Sequence, residues 1–353
     1  MSGNGTSDRP ALPRTERTDA PLYLARYLER QAGQGGQDGA PSDDEAPLYL
    51  RRFRQRRAAP NLVDGPPPLP GGGNHRLVEV LRSKEIVAFP EDRLRLAATI
   101  RLVRHAETQG YSTESGITPV GQWQAHRRGF DLSKGVVDGS TVRIVCAPTA
   151  RAAQTAAQVH RGLLNGLEQW GRRAEVSEPE PLADFDNFQV ATPSGLRDGT
   201  AAYREYRSLM ERHERLATGE RPMWLVELDR FWRVMQGGGD PIHFWLTTPM
   251  LHFEPPAACV RRFWVGFRRL ASESPGSLVV CVTHSGVMRA LAWWAYGHDP
   301  GEPYNVEEVL IQLKEGARAA LVTYRNRVQD VHVLPLESLP DWSSRSAVAG
   351  QRS

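Results

Sequence analysis

The sequence predicts an α/β fold, a three-layer α/β/α sandwich with a helical insertion and a disordered N-terminal arm. Three observations carry this prediction. Short runs such as Ser277–Thr283 (Ser-Leu-Val-Val-Cys-Val-Thr) are almost unbroken in apolar residues, the pattern of strands buried on both faces of a sheet. Longer helical segments alternate with those runs, which is how strands and helices follow one another in layered α/β domains. The third is a shift in composition. Of the 353 residues, 32 are Gly and 26 are Pro, and 20 of these fall within residues 1–75. A Gly/Pro content of that size without a period belongs to a chain that cannot bury a core.

The expected organisation is therefore an arm over 1–75, a folded domain over 76–336 and a loose tail over 337–353. The arm contains a duplication, in which Asp19-Ala20-Pro21-Leu22-Tyr23-Leu24-Ala25-Arg26-Tyr27 recurs as Glu45-Ala46-Pro47-Leu48-Tyr49-Leu50-Arg51-Arg52-Phe53. Two short apolar islands on one flexible tether suit bivalent docking to a protein partner, because the second contact gains from a high effective concentration. The repeats at 20–27 and 46–53 are thus candidate partner-docking motifs. Membrane contact through the Arg-rich run after the second copy is the weaker alternative.

Within the domain, Ala98–Val103 reads as the first strand. Thr118-Pro119 opens a helix running to Phe130, with Thr at the cap and Pro at the first helical position. Val142–Ala147 is a second strand and Ala150–Trp170 a long helix. Ala257–Ser272 is helical, Ser277–Thr283 the third strand, and Gly286–Tyr296 a further helix. Val306–Leu313 and Ala319–Tyr324 add edge strands. Residues 187–256 break the alternation and are rich in aromatics (Trp224, Phe231, Trp232, Phe244, Trp245, Phe253). A structureless loop of that length would be abnormal, so a helical insertion is expected, its aromatics either packed internally or capping a site.

Composition narrows the function. The formal net charge is +3, with 44 basic residues of which only Lys84, Lys134 and Lys314 are lysines. Beyond residue 75 these charges are scattered instead of gathered into the stripe that nucleic acid would require. The three cysteines, Cys146, Cys259 and Cys281, are too few and too far apart for a disulfide framework or a zinc motif. No stretch is long and apolar enough to span a membrane, and the N-terminus lacks the order of a secretory signal. A cytoplasmic protein without nucleic-acid partners is expected.

The chemistry gathers at strand ends. The first strand runs into Arg104-His105-Ala106-Glu107-Thr108, the second into Ala147-Pro148-Thr149-Ala150-Arg151, and the third into Thr283-His284-Ser285-Gly286. In α/β sheets, ligands bind at the carboxyl ends of the strands. Two guanidinium forks and two imidazoles on one rim suit a phosphoryl group, with helix N-termini adding backbone donors.

These blocks resemble the histidine phosphatase superfamily (branch 1), also called phosphoglycerate-mutase-like. Its R-H-G-E-T, L-T-P-x-G-x-x-Q-A, S-P-L-x-R-A-x-Q-T-A and H-G-x-x-x-R blocks correspond to Arg104–Thr108, Ile117–Ala125, Ala147–Ala156 and His284–Arg289, in that order. The resemblance covers roughly residues 97–326. It implies a phosphoglycerate-mutase-like sandwich that hydrolyses phosphomonoesters of small molecules through a phosphohistidine on His105. Arg104, Arg151 and His284 would hold the phosphoryl oxygens, Glu107, Thr108 and Ser285 would bind or frame the substrate, and no metal or cofactor is implied. The general acid, a Glu in similar chains, maps to Asp184 in Leu182-Ala183-Asp184-Phe185-Asp186-Asn187-Phe188, with Asp186 and Glu180 as the other candidates. Asp is one methylene shorter than Glu and needs burial to stay protonated at neutral pH.

The chain departs from the pattern in places. Ala106 replaces a Gly and requires that φ there not be positive. Tyr111 stands where an Asn often touches phosphate, and His284 is followed by Ser285 instead of the Asp of the phytase-like branch. His126, His160, His213, His243, His252 and His298 match no block and are expected to be packing or surface residues. Two alternatives accompany the phosphatase reading: a weakly active or inactive module that recruits a partner through the repeats, and a phosphomutase.

Overall fold

A computed structural model describes residues 96–333, apart from 111–113, 214 and 216–219, together with Leu336 and Trp342. The chain divides into Met1–Val87 and Ala88–Ser353, and every described residue lies in the second unit. The N-terminal repeats and Tyr111 fall outside the described residues.

The frame is a mixed sheet. Its strands are β1 (Leu96–Arg104), β2 (Thr141–Cys146), β3 (Glu175–Val176), β4 (Glu180–Pro181), β7 (Leu278–Thr283), β8 (Glu308–Lys314), β9 (Ala319–Tyr324) and β10 (Arg327–His332), in the order β10-β9-β8-β1-β7-β2-β3, with β4 also on β2. From β1 to β3 the pairings are parallel. From β1 outward to β10 they are antiparallel. A sheet of parallel type was expected, and the difference lies in the connections. Short turns, too short for a crossover, join β8 to β9 and β9 to β10, and such turns can join only antiparallel neighbours. β10 was not foreseen, because Arg327–His332 buries little beyond Val331 and so lacks an apolar alternation.

Alternation along the strands supplies both faces. Ile100, Leu102, Val279 and Cys281 belong to one buried cluster, while Val103, Val280 and Val282 belong to another. Helices α1 (Pro119–Ser133) and α2 (Ala150–Gln169) cover the second face. They cross very closely: a Cβ on Gly129 would lie 2.0 Å from the Val159 carbonyl oxygen, and one on Gly162 1.9 Å from that of His126. The first face is covered by α6 (Pro256–Glu273), α7 (Ser285–Tyr296) and the block between β4 and α6.

That block, expected as purely helical, also contains a hairpin. After a 3₁₀ turn (Ala183–Phe185) come β5 (Gln189–Thr192) and β6 (Gly195–Asp198), paired antiparallel, and then α3 (Gly199–His213), α4 (Met223–Gln236) and α5 (Pro241–Thr247). Trp224, Phe231, Trp245 and Phe253 are buried in the first-face cluster, with Trp232 and Phe244 packed against it. Phe188 stacks on Trp245 at 4.7 Å between ring centroids. The tail expected to be loose is not so at Trp342, which is 7% exposed. No helix among the described residues is long and apolar enough to cross a membrane.

Candidate active site

Three adjacent parallel strands, β1, β7 and β2, end side by side, and their C-terminal residues carry the site. The His105 amide donates to the Thr283 carbonyl and the Ala147 amide to Val282, so the ladder runs to the edge of the loops. His105 and His284 face each other with ring centroids 5.3 Å apart. Arg151, at the start of α2, is 5% exposed and His284 3%.

Each ring is oriented by its own loop. His105 Nδ1 lies 2.8 Å from the Ala106 carbonyl oxygen, an acceptor that holds the proton on Nδ1 and leaves Nε2 with its lone pair. Burial, with Arg104 and Arg151 alongside, holds the His105 pKa well below the usual imidazole value, against the opposing effect of the Ala106 bond. Burial, together with Arg151, His105, Arg104 and Arg262, does the same at His284. His284 Nε2 meets Thr149 Oγ1 at 3.2 Å, while its Nδ1 and the Nε of Arg104 are buried and, among the described residues, without a hydrogen-bond partner. Buried donors of that kind ordinarily have a ligand or water to satisfy.

Arg104 is held from its far side. Its Nη2 pairs with Glu302 Oε1 at 2.9 Å and its Nη1 donates to the Pro303 carbonyl. Glu302 also reaches Arg289, at 3.5 Å, and buried Arg289 is shared with Asp240 and Asp299. The Arg that ends the late block thus ties α7 and the loop after it to the guanidinium of Arg104. Arg151 Nη2 donates to Thr200 Oγ1 at the start of α3, at 3.4 Å, so the inserted block reaches the site.

Of the residues expected to frame the substrate, Glu107 is bonded to the start of α1. Glu107 Oε1 accepts from the Thr118 hydroxyl, its carbonyl accepts the Thr118 amide, and its own amide donates to Gln124. Thr118 in turn caps α1 by accepting from the Gly121 amide at 3.0 Å. Glu107 therefore fastens the His105 loop to α1. Thr108 bridges to Ile117, and Ser285 opens α7. Ala106 is absent from the described non-glycine residues with positive φ, and its amide donates to Thr155 Oγ1, which explains why an Ala fits where a Gly was expected.

The three carboxylates considered for the acid have different surroundings. Asp184 turns toward α6, its Oδ2 held by Arg269 Nη2 at 2.5 Å. Glu180 pairs with Arg143 at 3.0 Å. Asp186 is the carboxylate within electrostatic reach of Arg151: burial, aided by Asp198 of β6, pushes its pKa up to about 6, against the Asn187 amide, Arg262 and Arg151. Among the described residues no group of His, Cys, Asp or Glu side chains converges as a metal site would require.

Sequence reasoning assigned no role to Thr149, Thr200, Asp198 or Glu302. Thr149 left a trace, a polar residue where the third block has Leu. The others sit in segments whose neighbours only the folded chain reveals.

Residues 235–327 match the family model of the histidine phosphatase superfamily (branch 1). Among solved structures, YhfR of Bacillus stearothermophilus is similar at 18% identity and a TM-score of 0.40, covering 66% of this chain and 98% of its own. A mycobacterial glucosyl-3-phosphoglycerate phosphatase with inorganic phosphate is similar at 14% identity and a TM-score of 0.36, covering 67% and 95%. Phosphoglycerate mutase of Bacillus anthracis is similar at 14% and 0.35, covering 68% and 94%. No curated protein matches. His284 and Arg289 lie inside the matched residues, so it is this part of the chain that is similar to branch 1 of the histidine phosphatase superfamily.

Proposed function

We propose that the protein is a phosphatase that hydrolyses a phosphomonoester of a small molecule through a phosphohistidine on His105. Nε2 of His105 attacks phosphorus and the ester P–O bond breaks. Asp186 passes its proton to the departing alkoxide; it is assigned in preference to Asp184 because Asp184 is paired with Arg269, while burial of Asp186 pushes its pKa up to about 6. Water then attacks the phosphohistidine while the Asp186 carboxylate takes a proton from it, which releases phosphate and restores both groups. Arg104, Arg151 and His284 hold the non-bridging oxygens, so catalysis is positioning and charge stabilisation without a metal. Three buried free thiols fit the reducing cytoplasm.

The observation that carries the reading is the meeting of two buried imidazoles at adjacent strand ends, His105 and His284 with ring centroids 5.3 Å apart, and Nδ1 of His105 on the Ala106 carbonyl oxygen. His105→Ala should abolish turnover of p-nitrophenyl phosphate and the acid-labile phosphoenzyme trapped on rapid quench. Wild-type turnover in that variant would overturn the proposal.

A further inference from the structure

The side chain most heavily bonded to the acid turn is one to which no block assigns a role. Arg262, on α6, sends Nη1 to the carbonyl oxygens of Ala183, Asp184 and Asp186 at 3.1, 3.0 and 3.0 Å, and Nη2 to that of Asn187 at 3.0 Å. The remaining carbonyl of the turn, that of Phe185, accepts from Thr283 Oγ1 at 2.7 Å, one residue before His284. Every carbonyl from 183 to 187 is therefore engaged by α6 or by the strand that carries His284.

The guanidinium is itself fixed. Its Nε and Nη2 bind the two oxygens of Glu254 at 3.0 and 2.9 Å, a two-pronged pair that sets the plane of the fork. Glu254 is 1% exposed, its Oε2 also accepts the Gln189 amide, and its carbonyl accepts Trp245 Nε1. Both ends of the inserted block, at Gln189 and Glu254, thus meet on Arg262. A charge held this far from water is costly unless it is fully paired. A structural anchor alone would be served as well by apolar packing, which Phe185 already supplies by stacking on Phe267.

We propose that Arg262, oriented by Glu254, is a positioning residue that holds the 183–187 turn and, through it, the Asp186 carboxyl at the leaving group. This inference rests on the reading of Asp186 as the acid. Asp186 is also faced by Asp198 of β6, by Arg151 of α2 and by its neighbour's amide. Arg262 is the one of these groups that grips the backbone of the turn.

The test separates position from mere support. An acid matters most when the leaving group is a strong base, and least when it departs unaided. The ratio of kcat/KM for p-nitrophenyl phosphate to that for phenyl phosphate therefore reports on the acid, whereas loss of folded protein lowers both equally. We would measure this ratio in the full chain for D186N, R262K and E254Q, with thermal unfolding as a check on folding. D186N should lose about 100-fold or more on phenyl phosphate and less than about tenfold on p-nitrophenyl phosphate. R262K keeps the charge but not the fork. It should lose about tenfold on phenyl phosphate with p-nitrophenyl phosphate within about threefold, roughly the cost of one charged hydrogen bond. E254Q, which loosens the fork without touching the turn, should shift the ratio in the same direction and serves if R262K does not fold. Equal losses on both substrates in R262K and E254Q, with D186N behaving as expected, overturn the clamp alone. An unchanged ratio in D186N overturns the acid itself.

Discussion

At the scale of single residues, the site works by setting proton positions with burial and charge. His105 is held neutral far into the acid range because Arg104, Arg151 and burial all oppose a further positive charge. Asp186 moves the other way, from 3.8 to about 6. An acid must carry its proton to give it, so kcat/KM should fall as pH rises through about 6, and the acid limb should lie well below the usual imidazole value. A pH profile of kcat/KM checks this. In Asp186→Asn the alkaline limb should vanish, and a limb that persists there would belong to another group. Thr149→Val removes the hydroxyl from His284 while keeping the shape. One buried hydrogen bond is worth about 0.5–1.5 kcal/mol, so denaturant unfolding should show a loss of that size, and kcat/KM should fall about three- to tenfold in steady-state assays. Residue identity made Arg104, His105, Arg151 and His284 legible, because their types recur at fixed places in ordered blocks. Asp184 and Asp186 could not be told apart in that way, since two carboxylates two residues apart have the same chemistry until the folded chain pairs one with Arg269 and buries the other.

At the scale of elements, caps and close crossings were the most readable features. Thr118-Pro119 marks the start of α1, and the structure shows Thr118 capping the Gly121 amide. The Gly129–Gly162 crossing was not singled out, although it sets the approach of α2 and hence the placement of Arg151. A Cβ at Gly162 would lie 1.9 Å from the His126 carbonyl oxygen, so Gly162→Ala must push α1 and α2 apart. Overpacking of this kind costs about 1–3 kcal/mol, and denaturant unfolding should show that loss together with weaker catalysis. Wild-type stability in the variant would mean that the helices yield without cost. The hairpin β5–β6 escaped the sequence reading because Gln189–Thr192 and Gly195–Asp198 are only four residues each, too short for alternation to stand out beside the helical segments that follow.

At the scale of the whole molecule, the described domain closes its own core and site. The arm over 1–75 is proposed to address the protein to a partner through its two Leu-Tyr-Leu repeats. Deleting residues 1–75 should therefore leave kcat/KM for p-nitrophenyl phosphate within about twofold, because a docking tether acts on local concentration and not on chemistry. A large loss would place the arm in the catalyst.

What the sequence by itself determined is the alternation of strands and helices and the set of Arg and His residues at the strand ends, because apolar periodicity and block order are local properties of the chain. The pairing of Asp184 with Arg269, the hold of Glu302 on Arg104 and the grip of Arg262 on the turn were decided only in three dimensions. Each joins segments far apart in the chain, 78 residues in the case of Arg262 and Asp184, and the energy of such a contact exists only once burial has removed water from between its partners.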